Sequence, residues 1–168
     1  MIKKLLVVLL CASGLNAQAA LDPAQVRRLA ADDSSDKVAA IRQITQTADP
    51  EAVRVLKAMA DDTLFLAGDK VVIVDGDNAF DAASGATIKA PADPELITVN
   101  NRIRGELGGA LAALKLFDAD VAVRLASAQK LQSNVSADMA PLLARALDKE
   151  TDSRIKELLT LAHAQANL

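Results

Sequence analysis

Tryptophan and tyrosine are absent from this sequence, phenylalanine occurs 3 times, and histidine and cysteine occur once each. Without large aromatics the chain has no platform on which bases or sugars would stack. Basic residues are not in excess either: 19 Lys and Arg stand against 22 Asp and Glu. That balance leaves no electrostatic footprint for nucleic acid or for an anionic membrane surface. The single histidine, His163, has no cysteine, serine or carboxylate constellation around it. A general base needs an orienting partner, so His163 reads as a solvated side chain.

Long apolar runs are also missing. The one that exists, Leu5 to Ala12, is too short to cross a bilayer, which takes about 20 residues. It follows Lys3 and Lys4 and precedes Ala17-Gln18-Ala19, the pattern of an export signal with cleavage after Ala19. Cys11 lies inside that apolar core, after Leu10 where lipidation would want a small residue. Residues 20–168 then form the mature chain, without cysteine, disulfide or thiolate site. Removing Lys3 and Lys4 from the 19 basic residues leaves 17 against 22 acidic ones, a formal charge of −5. Export without disulfides points to a bacterial periplasm. The remaining length suits one domain with a modest core.

What is present is mostly helical. Asp22-Pro23 and Asp49-Pro50 each pair a cap with proline at the first helical position. The first opens a helix to about Ala31, and the second precedes Val53, Leu56 and Met59 or Ala60. Between them, after Ser35, Val38, Ile41 and Ile44 recur at helical spacing. Further helices are expected from Asn101 to Phe117, after Asp118 or Asp120, around Met139 to Leu147, and from Asp152 onward. An island at about 63–94 interrupts them. There β-branched runs are separated by Gly68-Asp69 and Asp75-Gly76, dipeptides that tolerate the positive φ of tight hairpin turns.

The helices also look repeated. The segment from Glu51 resembles that from Asp138, and Ile41-Arg42 in the preceding helix is matched by Val123-Arg124. Paired helices of this kind imply a mainly α fold, a HEAT-like α-solenoid of helical hairpins with an inserted β-hairpin. An irregular helical bundle is the alternative. On the last helix Ile155, Leu158, Leu159 and Ala162 form an apolar stripe. A terminal repeat normally carries a polar outer face, so this stripe is expected to be a stacking edge awaiting a neighbour.

No motif names a reaction. Asp75-Gly76-Asp77-Asn78-Ala79-Phe80-Asp81 gathers oxygen donors, but a calcium loop needs a ligand at position five, glycine at six and glutamate at twelve. Ala79, Phe80 and Ala86 stand there, so a turn is the better reading. Gly105, Gly109 and Ala113 form a small-residue stripe on a helix too charged for a membrane, which suggests close helix packing, with a tight contact expected at Gly108. Asn134-Val135-Ser136 matches a glycosylation sequon, which carries no weight in a bacterial periplasm. The remaining carboxylates fall on caps and solvent faces. The chain reads as a non-enzymatic binding or structural module with no cofactor and no metal.

A family resemblance goes further. The order of signal, short helical repeat, Val71-Val72-Ile73-Val74-Asp75-Gly76, then Asn100-Asn101-Arg102-Ile103-Arg104-Gly105 and Val121 to Leu131 resembles the periplasmic N-terminal region of the permease subunit of urea ABC transporters. Asn-Asn-Arg-Ile-Arg is its most specific piece. The family's permease continues into a transmembrane bundle, which this sequence does not contain. The resemblance implies an extracytoplasmic module contributing to urea import through contacts with the permease and the substrate-binding protein, without the pore. Asn100, Asn101, Arg102 and Arg104 are then the candidate contact residues, since arginine's planar fork suits a partner carboxylate. The competing role is internal, with the asparagines capping the helix and the arginines pinning the hairpin to it. A free-standing periplasmic scaffold is the other functional reading.

Overall fold

The structure, a computed structural model, describes residues 21–133 and 135–168. The expected export signal at 1–19 and the sequon's Asn134 lie outside the described residues.

Short polar side chains start the helices. In α1 (Pro23–Arg27) the Asp22 carboxylate accepts from the Ala24 amide. In α2 (Ser34–Thr47) Asp33 accepts from Ser35 and Asp36, so the cap lies two residues before the Ser35 suggested by sequence. Asp49 starts α3 (Pro50–Ala60), Asn100 starts α4 (Asn101–Leu114), Asp120 starts α5 (Val121–Leu131) and Asp152 starts α7 (Ser153–Ala166). Only α6 (Ala140–Lys149), entered through a 3-10 turn at Ala137–Met139, lacks a side-chain cap. Each such cap satisfies amides that the first helical turn leaves without partners. Ala48, at φ 51, closes α2 in the left-handed region and lets Asp49 begin α3 at once.

Between α3 and α4 lie β1 (Leu64–Ala67), β2 (Lys70–Asp75), β3 (Asn78–Asp81), β4 (Thr87–Ile88) and β5 (Glu95–Leu96). All pairings are antiparallel and the order is β4-β3-β2-β1-β5. Both hairpins turn on two residues, Gly68-Asp69 and Gly76-Asp77. Gly68 and Gly76 sit at φ +63 and +59, the positive φ at the first turn position that type II′ hairpins require.

This mixed α/β architecture replaces the expected mainly α, HEAT-like solenoid with a β-hairpin insert. The island is not a two-stranded ribbon but a five-stranded sheet, because the chain returns to its two edges after the hairpins. A lone hairpin is marginal in water, and this sheet gains its stability by sharing a core with helices. Leu64, Val71, Ile73 and Ile97 pack in one cluster with Leu29, Ile41, Ile44, Leu56, Ile103 and Leu107. The helices do not stack as repeats either. α2 and α3 both lean on α4, α5 bridges α4 and α7, and α6 packs on α7. A second cluster holds Ala113, Leu116, Leu131, Leu142, Leu143, Ile155 and Leu159. α4 contributes to both clusters and is the spine of the molecule. No helix among the described residues is long and apolar enough to cross a membrane.

Candidate contact surface at the start of the fourth helix

The candidate residues converge where α4 begins. Asn100 accepts from the Ile103 amide through Oδ1 at 2.9 Å, and its Nδ2 donates to Ser34 Oγ at 2.9 Å. It therefore caps α4 while tying it to the start of α2. Arg104 donates to the Ala60 carbonyl at 3.1 Å and reaches Asp62 Oδ2 at 3.5 Å. Asp62 stands at φ +57, so Arg104 braces the left-handed turn that ends α3. Neither Arg102 nor Arg104 pins the hairpins themselves; Asn100 ties α4 to α2, and Arg104 ties it to the end of α3. Beside them Lys37, buried to 6 % exposure, donates to the Thr98 carbonyl at 3.0 Å. That contact fixes the entry from β5 into α4.

Asn101 and Arg102 differ from these two not in exposure, which all four share, but in bonding, since Arg102 makes only a long 3.4 Å contact with Ser35 Oγ. Its guanidinium also lies close enough to Asp33 to help hold that carboxyl below its usual range, though the Ser35 and Asp36 amides do most of this. All four residues are exposed; Asn100 and Arg104 are tied to the frame by the shorter hydrogen bonds, and Arg102 by the long one alone.

The second set of candidates is placed otherwise. Ile155, Leu159 and Ala162 are 0 %, 1 % and 0 % exposed, and Leu158 is half-buried against the same cluster. The stripe expected to be a bare stacking edge is filled from within the chain by α5, α6 and the turn at Met139. Its amphipathic spacing marks an inner face. The large apolar side chains left outside here are Leu161 on α7, at 54 %, and Leu168 past its end. His163 is half-buried, with the Asn167 side chain donating to its carbonyl at 2.7 Å and lying 3.4 Å from its Nε2.

Sequence reasoning missed the two polar joints that hold the helices in place. Arg124 forks onto Glu150, with Nε and Nη2 at 2.8 and 3.1 Å from the two carboxylate oxygens. Its Nη1 donates to the carbonyls of Asp118 and Ala119, both at 3.0 Å. Glu150 also accepts from the amides of Thr151 and Asp152. The Arg124 fork, helped by those amides, pulls the Glu150 carboxyl down to about 2 against the opposing cost of burial. At the other joint Arg42 forks onto Glu106 at 2.8 and 3.0 Å and lies 3.6 Å from Asp138. The sequence did signal both arginines, as the matched pairs Ile41-Arg42 and Val123-Arg124. It did not signal their partners, which lie 64 and 26 residues away. Phe117 adds a third joint, half-buried with the Arg145 and Lys149 cations each 5.7 Å from its ring centre.

Chemically, the contacts at these sites are ion pairs, helix caps and cations over an aromatic ring. The Asp75-to-Asp81 stretch forms the β2–β3 turn and β3, where Asp81 accepts from the Ala83 and Ser84 amides at 3.1 and 2.9 Å. Among the described residues no group of three or more His, Cys, Asp or Glu is arranged to hold a metal ion. Comparison with family models, with curated proteins and with solved structures returned no match.

Proposed function

We propose that this protein is a non-enzymatic extracytoplasmic contact module that serves urea import, binding other subunits of a urea ABC importer without forming the pore. The reading comes from the resemblance carried by Asn100 to Gly105 and Val121 to Leu131. One observation supports the site: Asn100 and Arg104 are bonded into the frame, while Arg102, exposed like them, makes only the long contact with Ser35 Oγ. A guanidinium held on a rigid helix start loses little freedom when it forks onto a partner carboxylate. The test is a binding titration of the full chain against purified permease and substrate-binding subunits of the urea importer encoded in the same genome. Saturable binding to either, weakened at least about tenfold in Arg102→Glu with an unchanged melting temperature, is the expected result. No binding to either subunit, or binding indifferent to Arg102→Glu, overturns the proposal.

A second reading is a free-standing interaction scaffold in the same compartment. The covered stripe on α7 favours it, because Ile155, Leu159 and Ala162 require no further helix to bury them.

A further inference from the structure

β5 is an edge strand, paired with β1 on one side only. Its register tells which backbone groups face the open side. The Phe65–Leu96 and Leu66–Glu95 pairs put Ile97 opposite Leu64, and the Ile97 amide donates to the Leu64 carbonyl at 3.1 Å. Hydrogen-bonded and non-bonded pairs alternate along an antiparallel ladder, so Phe65 and Leu96 form a non-bonded pair. β2 agrees: the Val74 amide donates to the Thr63 carbonyl at 3.0 Å, which turns the Phe65 backbone toward Val72 and away from β5. The Leu96 N–H and C=O therefore point out of the sheet, and neither has a partner among the described residues.

Both ends of this edge are closed. Pro94 has no amide to offer, and Lys37, 6 % exposed, donates to the Thr98 carbonyl at 3.0 Å. Beside the edge runs a groove of about 160 Å³ whose lining includes Ala31, Asp32, Lys37, Glu95, Leu96 and Thr98. Asp32 and Glu95 are exposed and make no ion pair with the described residues, while the Lys37 ammonium is spent on Thr98. At the opposite edge an exposed lysine, Lys89, follows β4, the kind of charge that keeps other strands away. At β5 the free charges are carboxylates. They repel a second copy of this chain, whose formal net charge is −3, and attract a basic strand. Side chains alternate across a strand, so Glu95 and Ile97 share the helix-facing side with Leu64 and Leu66. Leu96, 42 % exposed, stands on the other side. A strand laid along this edge sets residues level with Glu95 and Ile97 toward the acidic groove, and the residue between them beside Leu96.

We infer that the open edge of β5 receives an extended segment of a partner protein in which basic and apolar residues alternate, added as a further strand through the Leu96 amide and carbonyl. In such additions the main-chain bonds supply affinity and the alternate side chains supply selectivity. The surface goes beyond the α4 contact, because it takes cations where Arg102 takes a carboxylate.

The probe is a fluorescein-labelled Lys-Val-Lys-Val-Lys-Val peptide, titrated with the full chain and followed by anisotropy. Saturable binding is expected, at least about tenfold tighter than that of Glu-Val-Glu-Val-Glu-Val. Leu96→Pro removes the outward N–H without touching a bond to β1, and should weaken the Lys-Val peptide by at least about tenfold. Proline also stiffens β5, so a second variant is read beside it. Asp32→Lys with Glu95→Lys changes two exposed side chains; it should leave the melting temperature unchanged and reverse the preference between the two peptides. Absence of saturable Lys-Val binding, affinity indifferent to Leu96→Pro, or a preference that the double reversal leaves standing overturns the proposal. So does a dimer in sedimentation that Leu96→Pro dissolves, since the occupant is then a second copy. No importer subunit enters this test, so its failure leaves the α4 contact untouched.

Discussion

Glu150 offers the sharpest quantitative test of how this fold is held. Its side chain is 2 % exposed, and its carboxylate accepts four hydrogen bonds: two from Arg124 at 2.8 and 3.1 Å, and two from the Thr151 and Asp152 amides at 2.8 and 2.9 Å. The folded state holds its pKa at about 2, against an ordinary value of 4.5. A carboxyl depressed on folding stabilises the folded state above its unfolded pKa. That contribution fades as pH falls from about 4.5 toward 2. A displacement of this size corresponds to about 3 kcal/mol. Glu150→Gln keeps the shape but turns an amide donor toward the Arg124 fork, leaving a guanidinium without its counter-charge. Breaking one member of such a pair costs about 3–5 kcal/mol, consistent with the pKa-based figure.

The assay is urea unfolding followed by far-ultraviolet circular dichroism, since the chain has no tryptophan or tyrosine to follow by fluorescence. At pH 7 Glu150→Gln should unfold about 3 kcal/mol more easily than the parent. At pH 3 most of that gap should close, because the parent has by then lost the larger part of its carboxylate advantage. Other carboxylates titrate in both proteins and cancel in the difference. A gap below about 0.5 kcal/mol at pH 7, the range of an ordinary surface change, would refute the claim that this pair is a structural joint. A gap as wide at pH 3 as at pH 7 would refute its ionic origin.

Two further substitutions separate packing from propensity. Leu159→Ala, at 1 % exposure, should cost about 2–5 kcal/mol in the same assay, whereas Leu161→Ala at 54 % should stay within about 0.5; similar costs at both positions would mean the α7 stripe is not the inner face. Gly105→Ala should stabilise the protein by about 0.5–1 kcal/mol, because a Cβ built there meets nothing within 4 Å and glycine is a poor helix residue; a loss of stability would restore the close packing expected of this stripe.

Which parts of the fold were legible follows from how local their causes are. The caps at Asp22, Asp49 and Asp152 could be read directly, and that of α5 to Asp118 or Asp120, since a carboxylate reaches the amides two or three residues ahead of it. The hairpins were legible for the same reason, in Gly68-Asp69 and Asp75-Gly76. β4 and β5 were not: Thr87-Ile88 and Glu95-Leu96 are too short to show alternation, and their pairing is decided by the sheet already formed. Missing them turned a five-stranded sheet into a hairpin and the whole chain into a solenoid. The α7 stripe failed differently. Spacing reports that a face is apolar but not what covers it, and the covering side chains come from α5 and α6. At Gly108 the expected tight contact is an ordinary one, 3.9 Å from Lys130 Nζ, so composition had overstated the packing there.

The same distinction narrows where recognition can reside. Arg42, Arg104 and Arg124 each meet a carboxylate or carbonyl belonging to another element, so their charge is committed to holding helices in place. Withdrawing any of them to greet a partner would leave Glu106, the α3 turn or Glu150 without its counter-group, at a cost that a surface contact rarely recovers. Arg102 escapes this constraint, because its one neutral contact, 3.4 Å from Ser35 Oγ, is weak enough to exchange for a partner's carboxylate at little loss. Of the two arginines at the start of α4, Arg102 is therefore the one whose release costs the frame less.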